Sequence, residues 1–273
     1  MRVLVTGAEG LLGQEVCKIF TFNGHRVISC GHPAMDVTSE ENVSRVLSED
    51  KPSLVIHCAA YTNVDGAEKD PSEALRVNEK GTKNVALWCA KNAVPLVYIS
   101  TDYVFDGKKD AEYLPDDKTN PINKYGESKL KGEMVIKSLC DKYYILRTSW
   151  LYGAGGRNFV KEMIKAKNSA ELRVINDQIG SPSYVKDVAL AILKIVDNNP
   201  YGTYHVNNSG STSWYGLAEK IFSILDVKVN LKPVSSDAIP RPAKRPAHSV
   251  MNNGGICRPW EEALSDFLNE YKL

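Results

Sequence analysis

No apolar run in this 273-residue chain approaches the ~18–20 residues that a membrane-spanning helix needs; the longest, such as Leu54–Ile56 and Leu96–Ile99, are of strand length. Neither sign of charge is in excess, with 34 Lys and Arg against 33 Asp and Glu and a formal net charge of +1. That balance argues against a nucleic-acid binder working through a basic surface. None of the six cysteines (Cys17, Cys30, Cys58, Cys89, Cys140, Cys257) stands in a C-x-x-C pair, which removes the usual zinc-site and thiol-redox motifs. The chain reaches a glycine turn at Gly7, too early to hold the apolar region of a signal peptide. Buried free thiols in a reducing cytoplasm are therefore expected, with no metal and no membrane contact. Internal repeats and low-complexity tracts are also missing.

What is present is ordinary globular usage, 43% apolar and 25% charged, in a chain long enough to bury a sizeable core. The first half alternates β-branched apolar runs with helical patterns. Strands are predicted at Arg2–Thr6, His25–Ser29, Leu54–His57, Leu96–Ser100 and Tyr143–Arg147. Helices are predicted over Leu11–Phe22, from about Ser39 to Glu49, over Pro71–Asn92 with proline in the first turn, and from Asn120-Pro121 to about Leu139. This alternation predicts an α/β fold, a doubly wound parallel sheet with right-handed crossovers. After Trp150 the rhythm breaks. Helical pieces at Phe159–Lys167 and Val185–Asp197 alternate with short strands such as Thr203–Val206, and a last helix starts near Trp260. Four prolines in Pro233–Pro246 demand an ordered loop or an extended arm. The expected organisation is a dinucleotide-binding domain over 1–152, with segments near 184–204 returning to it. Residues 153–273 would form a smaller, partly interleaved and mainly substrate-binding region.

Three segments carry chemistry. Thr6-Gly7-Ala8-Glu9-Gly10-Leu11-Leu12-Gly13 lies between the first strand and the first helix. Gly7 permits a tight turn, Gly10 lets the backbone approach a pyrophosphate, and Gly13 lets the helix pack on the sheet. The helix N-terminus then offers N–H groups and a positive dipole end to the phosphates, as in a Rossmann-type fold. Tyr125-Gly126-Glu127-Ser128-Lys129 sets a phenol and an ammonium one turn apart on one helical face. A lysine charge ~4 Å away in an effective dielectric of ~20 is worth about 4 kcal/mol, up to about three pKa units of lowering for the phenol. Such a pair can equally be a solvated helix face. Ser100-Thr101-Asp102 ends the fourth strand, at the sheet edge where ligands bind. Thr101 either holds a substrate oxygen beside the tyrosine or caps the following turn.

With these segments in view, the chain resembles the extended short-chain dehydrogenase/reductases, and within them the dTDP-4-dehydrorhamnose reductases. The likeness runs over nearly the whole chain. It takes in the glycine turn, His57-Cys58-Ala59-Ala60-Tyr61-Thr62-Asn63-Val64-Asp65, Val77-Asn78-Glu79-Lys80-Gly81-Thr82 and Ser100–Gly107. It continues through Tyr125–Lys129, Arg147-Thr148-Ser149-Trp150-Leu151-Tyr152-Gly153 and Asn176–Pro182. The resemblance implies reduction of the 4-keto group of dTDP-4-dehydro-6-deoxy-L-mannose to dTDP-L-rhamnose, a nucleotide sugar for cell-surface polysaccharide. It implies Tyr125 as proton donor, Lys129 as its partner and ribose contact, and Thr101 as the third member of the set. Gly7, Gly10, Leu11, Leu12 and Gly13 would hold phosphates, with Asp36 and Val37 near adenine. Ala59, Ala60, Tyr61, Thr62 and Ser100 would line the cofactor, and Asn78 would stabilise the loops around it. Trp150 is either a substrate contact or a core aromatic. Among the diphosphate candidates Arg241, Lys244, Arg245 and Arg258, Arg245 is singled out by a family-like Arg-Pro-x-x-Ser stretch.

Two departures stand out. His57 replaces the Asn frequent in rhamnose-type reductases, and is read as a satisfied strand-end histidine. The second strand ends in Ser29-Cys30-Gly31-His32, with no acidic residue to hold a ribose 2′-hydroxyl and no arginine to clamp a 2′-phosphate. NADPH is expected, with NADH also accepted, because nothing at that strand end repels a 2′-phosphate. No glutamate set for a bridging metal is recognisable, and a monomer or homodimer is expected. The other readings are a reductase or epimerase for another nucleotide deoxysugar, or a non-catalytic cofactor-binding subunit resembling the regulatory subunit of methionine adenosyltransferase.

Overall fold

The computed structural model describes residues 1–271. Strands β1 (Arg2–Thr6), β2 (Arg26–Cys30), β3 (Leu54–His57), β4 (Leu96–Thr101) and β5 (Tyr143–Thr148) join Gly202–His205 in one six-stranded sheet. The order across it is β2-β1-β3-β4-β5 and then Gly202–His205, and every pairing is parallel. The first half supplies helices α1 (Leu11–Phe22), α2 (Glu40–Asp50), α3 (Val64–Lys69), α4 (Pro71–Leu75), α5 (Thr82–Lys91) and α6 (Lys124–Leu139). The second half supplies α7 (Phe159–Lys165), α8 (Val185–Asn198), α9 (Trp214–Ile224) and α10 (Trp260–Glu270).

Alternation along the buried strands explains the two helical layers. Val3 and Val5 of β1 pack with α1, α8 and α10, while Leu4 between them packs with α2, α5 and α6. The strand Gly202–His205 hydrogen-bonds to β5, so the chain returns to the sheet after α8. Beyond the sheet, Leu172–Ile175 pairs with Leu231–Val234 over a small core of Val174, Ala218 and Phe222. Among the described residues no helix is long and apolar enough to cross a membrane. All six cysteines are free, but Cys17 and Cys58 are only partly buried, against the expectation of six buried thiols.

Helix starts follow side-chain caps. Ser39 accepts from the Asn42 N–H, Asn63 from Gly66, and Asp70 from Ser72 and Glu73 ahead of Pro71. The same rule corrects the sequence expectation for α6, which starts at Lys124 and not at Asn120-Pro121. Asn123 is extended, and its side chain accepts from Gly126 N–H, which leaves Pro121 in the preceding loop. The predicted helix over Pro71–Asn92 is interrupted by a π-turn at Arg76–Gly81. Such turns gather at functional sites because they re-aim one side chain; here it is Asn78.

His57 is 1% exposed and both ring nitrogens are partnered, Nδ1 with Thr6 Oγ1 at 2.7 Å and Nε2 with Thr82 Oγ1 at 3.2 Å. The Thr82 hydroxyl donates to the Asn78 carbonyl, so it accepts from Nε2–H and leaves Nδ1 as acceptor. The imidazole is neutral and structural. Burial pushes His57 from 6.5 down to about 3 and His205 down to about 4. The unfolded chain therefore takes up both protons near pH 6.5, well before the folded one does. Their stabilising effect is complete above that pH and is lost as pH falls, at about 1.4 kcal/mol per pH unit for each. Asp102, raised by burial to about 6, offsets one of the two below that value. Urea midpoints should fall between about pH 7 and pH 5; an unchanged midpoint would contradict the neutral-histidine assignment.

Candidate active site

A cleft of about 750 Å³ opens at the carboxyl ends of β1, β3 and β4, where the chain crosses back from β2 to β3. One end is walled by Gly31, His32, Asp36 and Val37, and the other by Thr101, Tyr125, Lys129 and Trp150. Between them the Thr6–Gly13 turn forms the floor. Gly7 has φ +62°, and a Cβ there would lie 2.6 Å from the Ala59 nitrogen, so only glycine lets the turn close against the loop after β3. Gly10 starts α1 without a side-chain cap, and the first turn of α1 holds no acidic residue. The leading N–H groups and the positive helix end thus face the cleft unneutralised, as a pyrophosphate requires.

Gly7, Gly10, Leu11, Leu12, Gly13, Asp36, Val37, Ala59, Ala60, Tyr61, Thr62 and Ser100 all line this cleft. Asn78 stands behind it. Its Oδ1 accepts from Tyr61 N–H at 2.8 Å, and its Nδ2 donates to the Tyr61 carbonyl at 3.0 Å and to Ser128 Oγ at 2.9 Å. One buried amide thereby ties the loop after β3 to α6.

At the other end α6 seats on the turn after β4. A Cβ on Gly126 would lie 2.1 Å from the Tyr103 carbonyl oxygen, so glycine beside Tyr125 is what allows the approach. The Thr101 hydroxyl donates to Asp102 Oδ1 at 3.0 Å and accepts from the Tyr103 N–H at 3.2 Å, and the Tyr103 ring meets the Tyr125 ring edge-on at 6.0 Å and 80°. Lys129 is 2% exposed, with Nζ 4.1 Å from the centre of the Tyr98 ring. The expected lowering of the phenol does not appear. Burial pushes Tyr125 up to about 12, the neighbouring Thr101 hydroxyl works against the shift, and the Asp102 charge adds to it. Burial also pulls Lys129 down to about 7, opposed by the Glu133 carboxylate. Desolvation thus outweighs the pairwise attraction expected from helical spacing.

Glu133 continues the stripe of Tyr125 and Lys129 by one more turn, and the sequence reading missed it. Its Oε1 accepts from Ser100 Oγ at 2.5 Å and Arg147 Nε at 2.9 Å, and its Oε2 from Arg147 Nη2 at 2.8 Å. Both members of the pair are 1% exposed. The signal was available in the four-residue spacing and in a charged residue within the β5 strand. Trp150 adopts φ +46° and stacks on Trp214, ring centres 3.5 Å apart and 7° from parallel. That backbone costs on the order of 1–2 kcal/mol and holds the indole on the cleft wall. Trp214 and the helix that carries it were also not anticipated.

The diphosphate candidates fare differently. Arg245 forks onto Asp65 at 2.5 and 3.0 Å and also donates to the Ala243 carbonyl, off the cleft wall. Arg258 is engaged by Asp187 and Asp266, while Arg241 and Lys244 are exposed outside the cleft. The adenosine end also differs from expectation: Glu9, Glu73 and Arg76 line it, delivered from elements other than β2.

Comparison with known proteins adds four likenesses. The family model for the RmlD substrate binding domain matches residues 1–273. The chain is 40% identical to the spore coat polysaccharide biosynthesis protein SpsK of Bacillus subtilis, over 98% of this chain and 97% of that one. Its fold matches a dTDP-4-dehydrorhamnose reductase from Clostridium acetobutylicum with TM-score 0.97 and 40% identity, covering 100% of both chains. It matches the Bacillus anthracis dTDP-4-dehydrorhamnose reductase, solved in complex with NADP, with TM-score 0.96 and 42% identity over 98% and 99% of the two chains.

The buried Glu133–Arg147 pair gives a direct stability test. Arg147→Met leaves a buried carboxylate without its main partner and should cost about 3–5 kcal/mol in urea unfolding, whereas adding Glu133→Leu should recover much of the loss. Additive losses in the double variant would show that the two side chains do not act as a pair.

Proposed function

The chain belongs to the RmlD substrate binding domain family, and on that premise we propose that it reduces the 4-keto group of dTDP-4-dehydro-6-deoxy-L-mannose to give dTDP-L-rhamnose. The observation that carries this reading is the Thr101–Tyr125–Lys129 set, gathered at one end of a cleft whose floor is an uncapped helix N-terminus. NADPH, when bound, supplies the hydride. Residues 1–152 with the returning strand hold the cofactor, and 153–273 mainly hold the sugar nucleotide.

Thr101 and Tyr125 hydrogen-bond the ketone oxygen and so orient the carbonyl carbon toward the cofactor. As negative charge develops on that oxygen, the Tyr125 phenol gives up its proton to it. An alkoxide is far more basic than a phenolate, so the transfer is downhill even from a phenol raised by burial. Lys129, one turn along α6, stabilises the phenolate that remains, and Glu133 beneath it favours the charged ammonium. Trp150, held by Trp214, presents an apolar wall to the deoxysugar. Proton transfer of this kind contributes about 10²–10⁴-fold.

Tyr125→Phe should lower turnover at least ~10²-fold, measured by nicotinamide absorbance with the nucleotide sugar, while dinucleotide affinity stays within about twofold. Near-normal turnover would remove Tyr125 from the mechanism. Steady cofactor oxidation that requires a different dTDP-4-keto-6-deoxyhexose would keep the chemistry and change the sugar. The pH profile has a definite sign. Lys129 is charged below about 7, so kcat/KM should be high on the acid side and decline as pH rises through that value. In Lys129→Met this limb should vanish; its survival would assign it to another group.

A further inference from the structure

We infer that Arg76, with Thr38 and His32, forms the subsite that recognises the 2′-phosphate of the cofactor. This rests on the NADPH reading above and goes beyond it by naming the residues that choose between the two dinucleotides. The strand after which such a group normally lies, β2, ends at Cys30 and is followed by Gly31 and His32, without a guanidinium there. The structure supplies one from across the cleft. Arg76 opens the π-turn that follows α4, and it lines the same end of the cleft as His32 and Thr38.

Its fork is already presented in the geometry that an anion needs. Nε and Nη2 each donate to one Glu73 carboxylate oxygen at 2.7 Å, and Nη1 donates to Thr38 Oγ1 at 2.5 Å. The Thr38 hydroxyl donates in turn to Asp36 at 2.8 Å, which fixes its lone pairs toward Arg76. A planar fork that holds a carboxylate bidentately holds a phosphate by the same two parallel N–H bonds. Glu73 therefore occupies the position of the phosphate and competes with it. A second carboxylate adds to that competition. A Cβ on Gly31 would lie 2.4 Å from the Glu9 carboxylate, so Glu9 sits directly over the end of β2, where an acidic residue favours a free ribose 2′-hydroxyl. The choice between dinucleotides is thus set by Arg76 against Glu73 and Glu9, none of them on β2.

The test is binding, independent of turnover. Dissociation constants for NADP⁺, NAD⁺, 2′-AMP and 5′-AMP are measured by calorimetry on the purified protein and its variants. Arg76→Leu should weaken NADP⁺ and 2′-AMP about tenfold or more, the scale of one charge-assisted fork, and leave NAD⁺ and 5′-AMP within about twofold. Glu73→Gln should do the reverse, tightening only the 2′-phosphorylated ligands, and it provides a second readout if Arg76→Leu folds poorly. Equal loss for all four ligands, or no change in either variant, overturns the assignment while leaving the reductase reading intact. A wild-type protein that binds neither dinucleotide removes the reductase reading and the subsite together.

Discussion

Desolvation of ionisable groups along one face of α6 is the constraint on which the active end depends. Tyr125, Lys129 and Glu133 follow one another at four-residue spacing, and all three face the sheet. A lone ammonium or carboxylate there would be costly, so β5 supplies Arg147 and β4 supplies Ser100 to satisfy Glu133. The Lys129 ammonium, in turn, stands over the Tyr98 ring from the same strand. The sheet edge is therefore the electrostatic counterpart of the helix. The same burial keeps the phenol protonated at neutral pH and brings the lysine within reach of losing its charge.

The cofactor end obeys the opposite rule. Its floor works because side chains are missing: Gly7 lets the turn close against the loop after β3, Gly10 opens α1 without a side-chain cap, and α1 carries no acidic residue in its first turn. Charges return at the rim, where Glu9, Glu73 and Arg76 converge from the glycine loop and from the helix after β3. Between floor and active end, Asn78 ties the loop after β3 to α6 through the Tyr61 backbone and Ser128. A regular helix over Pro71–Asn92 would not present that amide in the same direction, which gives the π-turn a physical purpose.

Much of this was legible in the chain. The continuous apolar runs of β1 and β3, the glycine turn and the Tyr125–Lys129 spacing depend on neighbours close in sequence, and local sterics determine them. The same holds for the strands of the first half and for α1, whose ends are punctuated by glycine. The start of α6 was misplaced by a few residues because Asn123, and not Pro121, supplies the cap; both are local signals, and the hydrogen bond decides between them.

What only the tertiary structure decided is which charges meet. Arg245 looked available for a diphosphate, yet it pairs with Asp65, 180 positions away in the chain. Arg76, which the sequence reading passed over inside the Pro71–Asn92 helix, is brought by the crossover from β3 to the residues that follow β2. Trp150 could be placed at a strand end, but its positive φ and its stack on Trp214 come from packing with the second half. By itself the sequence determined the parallel sheet, the phosphate turn and the proton-donor helix, because these follow from backbone sterics and periodicity. The partners of Arg147 and Arg245 were settled by folding alone, because pairing between segments far apart in sequence depends on distance in space and leaves no period along the chain.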